Sequence, residues 1–216
     1  TPMASILGYS EVILAMDFPE EQRRELLETI HRQSELLVSI INELLDLARI
    51  EARGEKEFVI ERLELHELID NVIAGWAPPP GRDAPEILSE PGDIWLRGDR
   101  TKLMQAIGNV VSNAYKYSPT GGGVEISLAK VGHDGARQIL ISVTDHGIGM
   151  ASDDIVHLGE RFYRADKSGK IPGTGLGLAI VKEIIEHHGG YTTFGSDPGK
   201  GMTVTIHLPD TADNRE

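Results

Sequence analysis

At 216 residues, with 40% hydrophobic and 25% charged side chains, the chain has the size and balance to bury one or two globular cores. It contains no cysteine, which excludes disulfides and thiolate metal centres, and it shows neither a signal peptide nor an apolar run near the roughly 18 residues of a membrane span. A formal net charge of -13 argues against general nucleic-acid binding, and it requires any polyanionic ligand to be held by a local pocket working against the global field.

The chain opens on "TPMASILGYSEV", already amphipathic by Ile6 and Leu7, and a first helix is expected from Thr1 to Met16. "DFPEEQ" is a turn with Pro19 near the next helix start. Apolar residues then fall at Leu27, Ile30, Leu37, Ile41, Leu44 and Ala48, and a second row (Leu26, Ile30, Leu37, Ile40, Leu44, Leu47) widens the stripe. That breadth suits a four-helix bundle completed by a second copy of the hairpin; the alternative is a monomeric hairpin packed on the rest of the chain. Gly54 is expected to end the long helix.

From Phe58 the texture changes. "FVIERLEL" reads as extended, "HELIDNVIAGW" as helical and "APPPGRDAP" as a loop, and the strand-like runs "PEILSE" and "DIWLRGD" lead into the helix "RTKLMQAIGNVVSNAYKYS". "GGGVEISLAKVG" and "RQILISVTD" form a hairpin around "HDGA". The helix "GLGLAIVKEIIEHHGG" follows a glycine-rich region, and "YTTFGSD" with "GMTVTIHLP" makes a closing hairpin. The expected class is α+β, one sheet with helices on one face. Residues 1–55 form the helical hairpin, 56–210 the α/β domain and 211–216 a tail.

Several patterns carry chemistry. "DHGIGM" sets Gly147 and Gly149 after a strand ending in Asp145, and "GTGLGLAIVK" sets Gly173, Gly175 and Gly177 where a helix begins. Glycines there allow backbone amides to approach a phosphate, although helix packing or turn geometry would also explain them. Gly-x-Gly-x-x-Gly fails at Ile180, and the Gly-x4-Gly-Lys-Ser/Thr loop fails because the Gly-Lys pairs run into Ile171 and Gly201. Neither a Rossmann domain nor a P-loop is present.

Asn109, Asn113, Lys116 and Tyr117 share one helix face, which suits a metal-bound polyphosphate or, more simply, solvent. Asp145 closes an apolar strand, where its carboxylate could accept from the exocyclic amine of adenine or merely cap the next turn. The polar stretch from Ser152 to Gly173 carries Arg161, Arg164, Lys167 and Lys170, a composition fit for a lid over phosphates or for an ordinary exposed loop.

Taken in order, these segments resemble the kinase core of bacterial sensor histidine kinases from Thr1 to about Pro209. "NVVSNAYKYSP" is similar to the family's asparagine box, "DHGIGM" to its first glycine box, "ERFYRAD" to its phenylalanine box and "GTGLGLAIVK" to its second; "TPMASILGYSEV" with "LLDLARIEARG" looks like the dimerisation and phosphotransfer hairpin. The resemblance implies a sandwich of the Bergerat (GHKL) type that binds ATP and Mg2+. It implies Asn113 as the magnesium ligand, with Asn109 in support, and nucleotide contacts from Lys116 and Tyr117. It further implies that Asp145 binds the adenine amine, that Gly147 and Gly149 shape the base pocket, and that Arg164, Gly173, Thr174, Gly175, Leu176 and Gly177 surround the phosphates. His146 stands where the family usually has asparagine.

Related ATPase clamps carry a glutamate general base where this chain has Asn109, so phosphoryl transfer to protein is favoured over hydrolysis. Aligned on "TP", the family's acceptor histidine would precede Thr1, the position that assists dephosphorylation of the response regulator. His31 is expected at the surface, and His187 and His188 at a helix end where they suit the C-terminal dipole. The resulting expectation is a two-component kinase core that binds Mg-ATP, does not phosphorylate itself without the acceptor, and serves a response-regulator receiver domain. It would form a homodimer weakened by a short first helix, and act in the cytoplasm without touching nucleic acid or membrane, whether or not the full-length parent is membrane-anchored. The alternatives are a degenerate nucleotide-binding signalling module and an ATPase clamp.

Overall fold

A computed structural model describes residues 2–53, 58–89, 92–119, 121–133, 136–166, 171 and 173–211. Helix α1 (Pro2–Ala15) and helix α2 (Glu20–Arg53) form an antiparallel hairpin, with Pro19 directly ahead of the second helix. Thr1, Gly54, Asp134, Gly135, Lys167, Lys170 and the tail beyond Thr211 lie outside the described residues. The hairpin buries little by itself. No residue of α1 is fully buried, and Leu14, Met16, Leu27, Val38 and Ile41 stay exposed. The far end of α2 behaves differently: Leu47 and Ile50 are 2% and 0% exposed and belong to the core of the following domain. The apolar stripe thus serves two partners along its length.

The domain departs from the single sheet expected of it. Strand β1 (Ile60–Glu64) pairs antiparallel with β3 (Trp95–Asp99) in a separate two-stranded ribbon. The main sheet has five strands in the order β2 (Glu86–Ser89), β4 (Val124–His133), β5 (Ala136–Asp145), β7 (Gly201–Pro209) and β6 (Tyr191–Asp197). β2 runs parallel to β4, because β3 and α4 intervene as a crossover, whereas the two hairpins pair antiparallel as their short connections require.

Alternation places one face inward. Ile126, Val143 and Val204 form one buried rung, and Leu128, Ile141 and Ile206 the next. The opposite face carries hydroxyls, with Ser142 and Thr205 hydrogen-bonded at 3.0 Å and Thr144 and Thr203 at 3.0 Å. Over the inner face lie α3 (Leu65–Ala74), α4 (Arg100–Lys116) and α6 (Gly177–His187), each burying an apolar stripe. A four-residue helix, α5 (Ser152–Ile155), begins the segment between the glycine loops.

Asp99 joins several of these pieces. Its Oδ1 caps α4 by accepting from the Lys102 N–H (2.9 Å), and its Oδ2 accepts from the Val59 N–H (2.8 Å). Its own N–H donates to Nε2 of His188 (2.9 Å), whose Nδ1 meets the Ile184 carbonyl at 2.7 Å. That pattern requires the neutral Nδ1–H tautomer, and burial lowers the pKa of His188. The helix-dipole reading therefore does not apply to His188, which works as an uncharged structural bridge. His187 does fit it: the ring bonds the Glu183 carbonyl at 2.9 Å and lies 3.7 Å from the Glu183 carboxylate. His31 is exposed and pairs with Glu35.

Candidate nucleotide site

A cavity of about 1270 Å³ opens between α4, the amino end of α6, residues between Asp154 and Asp166 together with Ile171, the β5 and β7 strands, and the middle of α2. Asn109, Asn113, Lys116 and Tyr117 all border it, so the four-residue spacing on α4 delivers its polar face to one place. Asn109 donates from Nδ2 to the Gly177 carbonyl at 3.4 Å, which ties α4 to the first turn of α6. Burial, with Arg164 nearby, lowers the pKa of Lys116; Glu43 and Asp166 pull the other way.

Asp145 also lines the cavity and is 5% exposed. Its Oδ1 accepts from the Gly147 N–H (2.8 Å) and from the Ser118 hydroxyl (3.3 Å), and burial raises its pKa despite those bonds. The turn-capping bond is present, and the same residue lines the cavity. Ser118, fully buried and also donating to the Ala114 carbonyl (2.7 Å), is a support that no periodicity marks.

The glycines divide by cause. A Cβ on Gly147 would lie 2.1 Å from the Tyr117 carbonyl, and one on Gly149 (φ +61°) would lie 1.9 Å from the Asp197 carbonyl; both are glycine because the chain packs against itself there. Gly147 does not border the cavity but holds Asp145 through its N–H. A Cβ on Gly175 (φ +78°) would meet the backbone of Phe162 at 2.7 Å. Gly177 has room, its nearest neighbour being Asn113 Nδ2 at 4.0 Å. Leu176, placed with the phosphate-binding residues by resemblance, has a fully buried side chain off the cavity wall; as the residue before α6 it packs the core, and its N–H is bonded by Thr174 Oγ1 at 3.2 Å. Leu176 at the N-cap position makes no side-chain cap bond, and the amino end of α6 borders the cavity with partial positive charge.

The two arginines of the segment between the glycine loops separate likewise. Arg164 borders the cavity, donates from Nη2 to the Ile171 carbonyl, and leaves a buried Nε with no hydrogen-bond partner among the described residues. Arg161 instead pairs with Glu51 on α2 and does not line the cavity. Tyr163 donates to Asp154 (2.6 Å), which pushes its pKa up to about 12. His146 faces Glu125 (3.1 Å) and not the cavity. Nothing in the local pattern of α2 announces that Arg32, Ser39 and Glu43 form a wall of the same cavity.

Residues 98–212 match the family model described as "Histidine kinase-, DNA gyrase B-, and HSP90-like ATPase", and residues 1–53 match "His Kinase A (phospho-acceptor) domain". The chain belongs to the sensor histidine kinases. It is 34% identical to the sensor-like histidine kinase SenX3 of Mycolicibacterium smegmatis over 99% of its own length and 55% of that protein, so it spans about half of this curated relative. The Acinetobacter baumannii histidine kinase AdeS shares the fold, with a TM-score of 0.70 at 21% identity over 98% of this chain and 96% of that one. Full-length ShkA, solved in complex with AMPPNP, gives a TM-score of 0.67 at 26% identity and covers 96% of this chain and 43% of that one. The carboxyl-terminal half is thus a histidine-kinase-type ATP-binding domain, and the amino-terminal hairpin is of the phospho-acceptor type. Among the described residues no helix is long and apolar enough to cross a membrane.

Proposed function

We propose that this chain is the core of a protein-histidine kinase that binds Mg-ATP, passes the γ-phosphoryl group to a histidine of a phospho-acceptor hairpin, and from there to an aspartate of a response-regulator receiver domain. The carrying observation is convergence: a buried carboxylate (Asp145), two asparagines, Lys116, Arg164 and the uncapped end of α6 border one cavity. A net charge of -13 would otherwise repel a triphosphate.

In this reading Asp145 accepts from the adenine amine, held in place by Gly147 and Ser118, while Gly149 shapes the base pocket. Lys116, Tyr117, Arg164, Thr174 and the amides at Gly173, Gly175 and Gly177 hold the phosphates. Asn113 supplies an amide oxygen to magnesium. Among the described residues no group of three or more His, Cys, Asp or Glu side chains could hold a metal alone, which suits an ion that takes its remaining ligands from phosphate and water. Magnesium held there would supply positive charge to offset the charge developing on the transferring group. Asn109 steadies the first turn of α6 and, as a carboxamide, cannot deprotonate water; this favours transfer over hydrolysis.

The exposed apolar side chains of α1 and α2 support a homodimer through the hairpin, and a cytoplasmic setting goes with the kinase reading. The hairpin (1–55), catalytic domain (56–210) and tail (211–216) are the proposed units, and a regulatory part for Thr1 stays within this proposal. The test is incubation of the chain and labelled ATP with a histidine-bearing acceptor hairpin. Acid-labile, base-stable label on the acceptor is expected. Steady ATP turnover without labelled protein would assign the chain to the clamp ATPases, and nucleotide binding with neither outcome to a degenerate module.

A further inference from the structure

Glu43 belongs to the hairpin, yet its carboxylate lies in the nucleotide cavity. Oε2 accepts from the Thr174 hydroxyl at 2.5 Å, and Oε1 accepts from the Ser39 hydroxyl at 2.7 Å. Thr174 sits in the glycine loop ahead of α6, where its Oγ1 also takes the Leu176 N–H. Lys116 closes the same corner, since its Nζ occupies the space where a Cβ on Gly173 would go (2.1 Å). Of the acids near Lys116, Glu43 exerts the larger pull toward the charged ammonium. An anionic group, a hydroxyl donor, an ammonium and an uncapped helix end are therefore assembled before any nucleotide is considered. Two further polar contacts tie α2 to the domain: Gln105 donates to Asp46 at 3.0 Å, and Arg161 pairs with Glu51.

We propose that Glu43 is an internal stand-in for the terminal phosphate of ATP, occupying its subsite from α2 so that a triphosphate must displace the carboxylate and thereby break the Glu43–Thr174 link between hairpin and catalytic domain. The proposal rests on the ATP-binding reading above. The carboxylate takes up the Thr174 hydroxyl, a donor in the glycine loop that a γ-phosphoryl group would otherwise use, and two anions at one donor repel strongly. A diphosphate, lacking that group, need not contest the position. Glu43 would thus lower affinity for triphosphates selectively, and occupancy by ATP would be coupled to loosening of the α2 contact.

Glu43→Gln keeps the shape and helix propensity while removing the charge. Binding of ATP and of ADP, each with magnesium, is measured by calorimetry on the full chain and on this variant, with thermal melting as the folding control. The expected result is a gain of about tenfold for ATP with a much smaller change for ADP. Ser39→Ala, which frees one carboxylate oxygen, should move the ATP-to-ADP ratio less than Glu43→Gln does. An equal change for both nucleotides, or none, overturns the proposal while leaving the ATP-binding reading intact. A loss of ATP affinity in Glu43→Gln also overturns it, because Glu43 would then be assisting the metal. Failure of the unaltered chain and the variant alike to bind ATP overturns the underlying reading itself.

Discussion

The backbone N–H of Asp99 donates to Nε2 of His188 across 2.9 Å, joining the start of α4 to the end of α6 through one uncharged imidazole. Protonation would turn that acceptor into a donor facing an N–H. The pKa of His188 is lowered in the fold, so the unfolded chain binds the proton more readily. The contribution is complete above the unfolded value near 6.5 and is lost as pH falls through it toward the lower folded value, with a slope of up to about 1.4 kcal/mol per pH unit. Melting curves between pH 8 and pH 5 should show this loss. A His188→Gln variant should be less stable at pH 8 by about 1–3 kcal/mol, and its stability should fall less steeply on acidification. Parallel slopes would refute the bridge.

Asp145 should separate binding from stability. Burial raises its pKa, so the charge is held at a cost, and Asp145→Asn should leave the melting temperature unchanged or higher. ATP affinity should nevertheless fall by roughly 100-fold, because an amide N–H2 would confront the adenine amine. Calorimetry and melting on the same sample decide this.

Asn113→Ala should weaken ATP binding by at least about tenfold when magnesium is present, and much less when it is chelated. An equal loss in both conditions would mean that Asn113 holds the nucleotide directly.

Two glycines should answer differently to alanine. Gly149→Ala, with φ +61° and a Cβ 1.9 Å from the Asp197 carbonyl, should cost more than about 1 kcal/mol of stability. Gly177→Ala meets nothing closer than 4.0 Å and should keep the fold intact. It should still weaken triphosphate binding, since its methyl group would stand at the uncapped end of α6. Circular dichroism melts paired with nucleotide titration test both halves.

The hairpin carries its own test. Val38 and Ile41 are 57% and 48% exposed, and replacing both with glutamate should shift the mass in analytical ultracentrifugation from dimer to monomer without unfolding α2. An unchanged mass would place the dimer contact elsewhere.

The sequence disclosed whatever is local. Helical spacing on α4 placed Asn109, Asn113, Lys116 and Tyr117 together, and strand alternation predicted both hairpins, because each depends on neighbours a few residues away. The ribbon of β1 with β3 and the parallel seat of β2 depend on pairings between distant segments, to which a periodic pattern is blind. The same holds within the site. Ser118 supports Asp145 across 27 residues and Glu43 reaches Thr174 across 131, so neither could be read from spacing. The glycine loops were legible as places without side chains, but only the structure distinguishes Gly147, excluded from having one by the Tyr117 carbonyl, from Gly177, which has space to spare.

Helix α2 is one uninterrupted run of 34 residues, about 51 Å long, and its last turns are buried in the catalytic domain through Leu47 and Ile50. Helix α1, with 14 residues, spans less than half of that rod, and the stretch carrying Glu43 joins the catalytic domain through Thr174. Because the helix is continuous, a rotation of it would move Glu43 and with it the cavity wall. The same bar, read the other way, would carry a change in the nucleotide pocket toward the exposed Val38 and Ile41. One continuous helix thus belongs both to the phospho-acceptor hairpin and to the wall of the nucleotide cavity, a shared axle for the two.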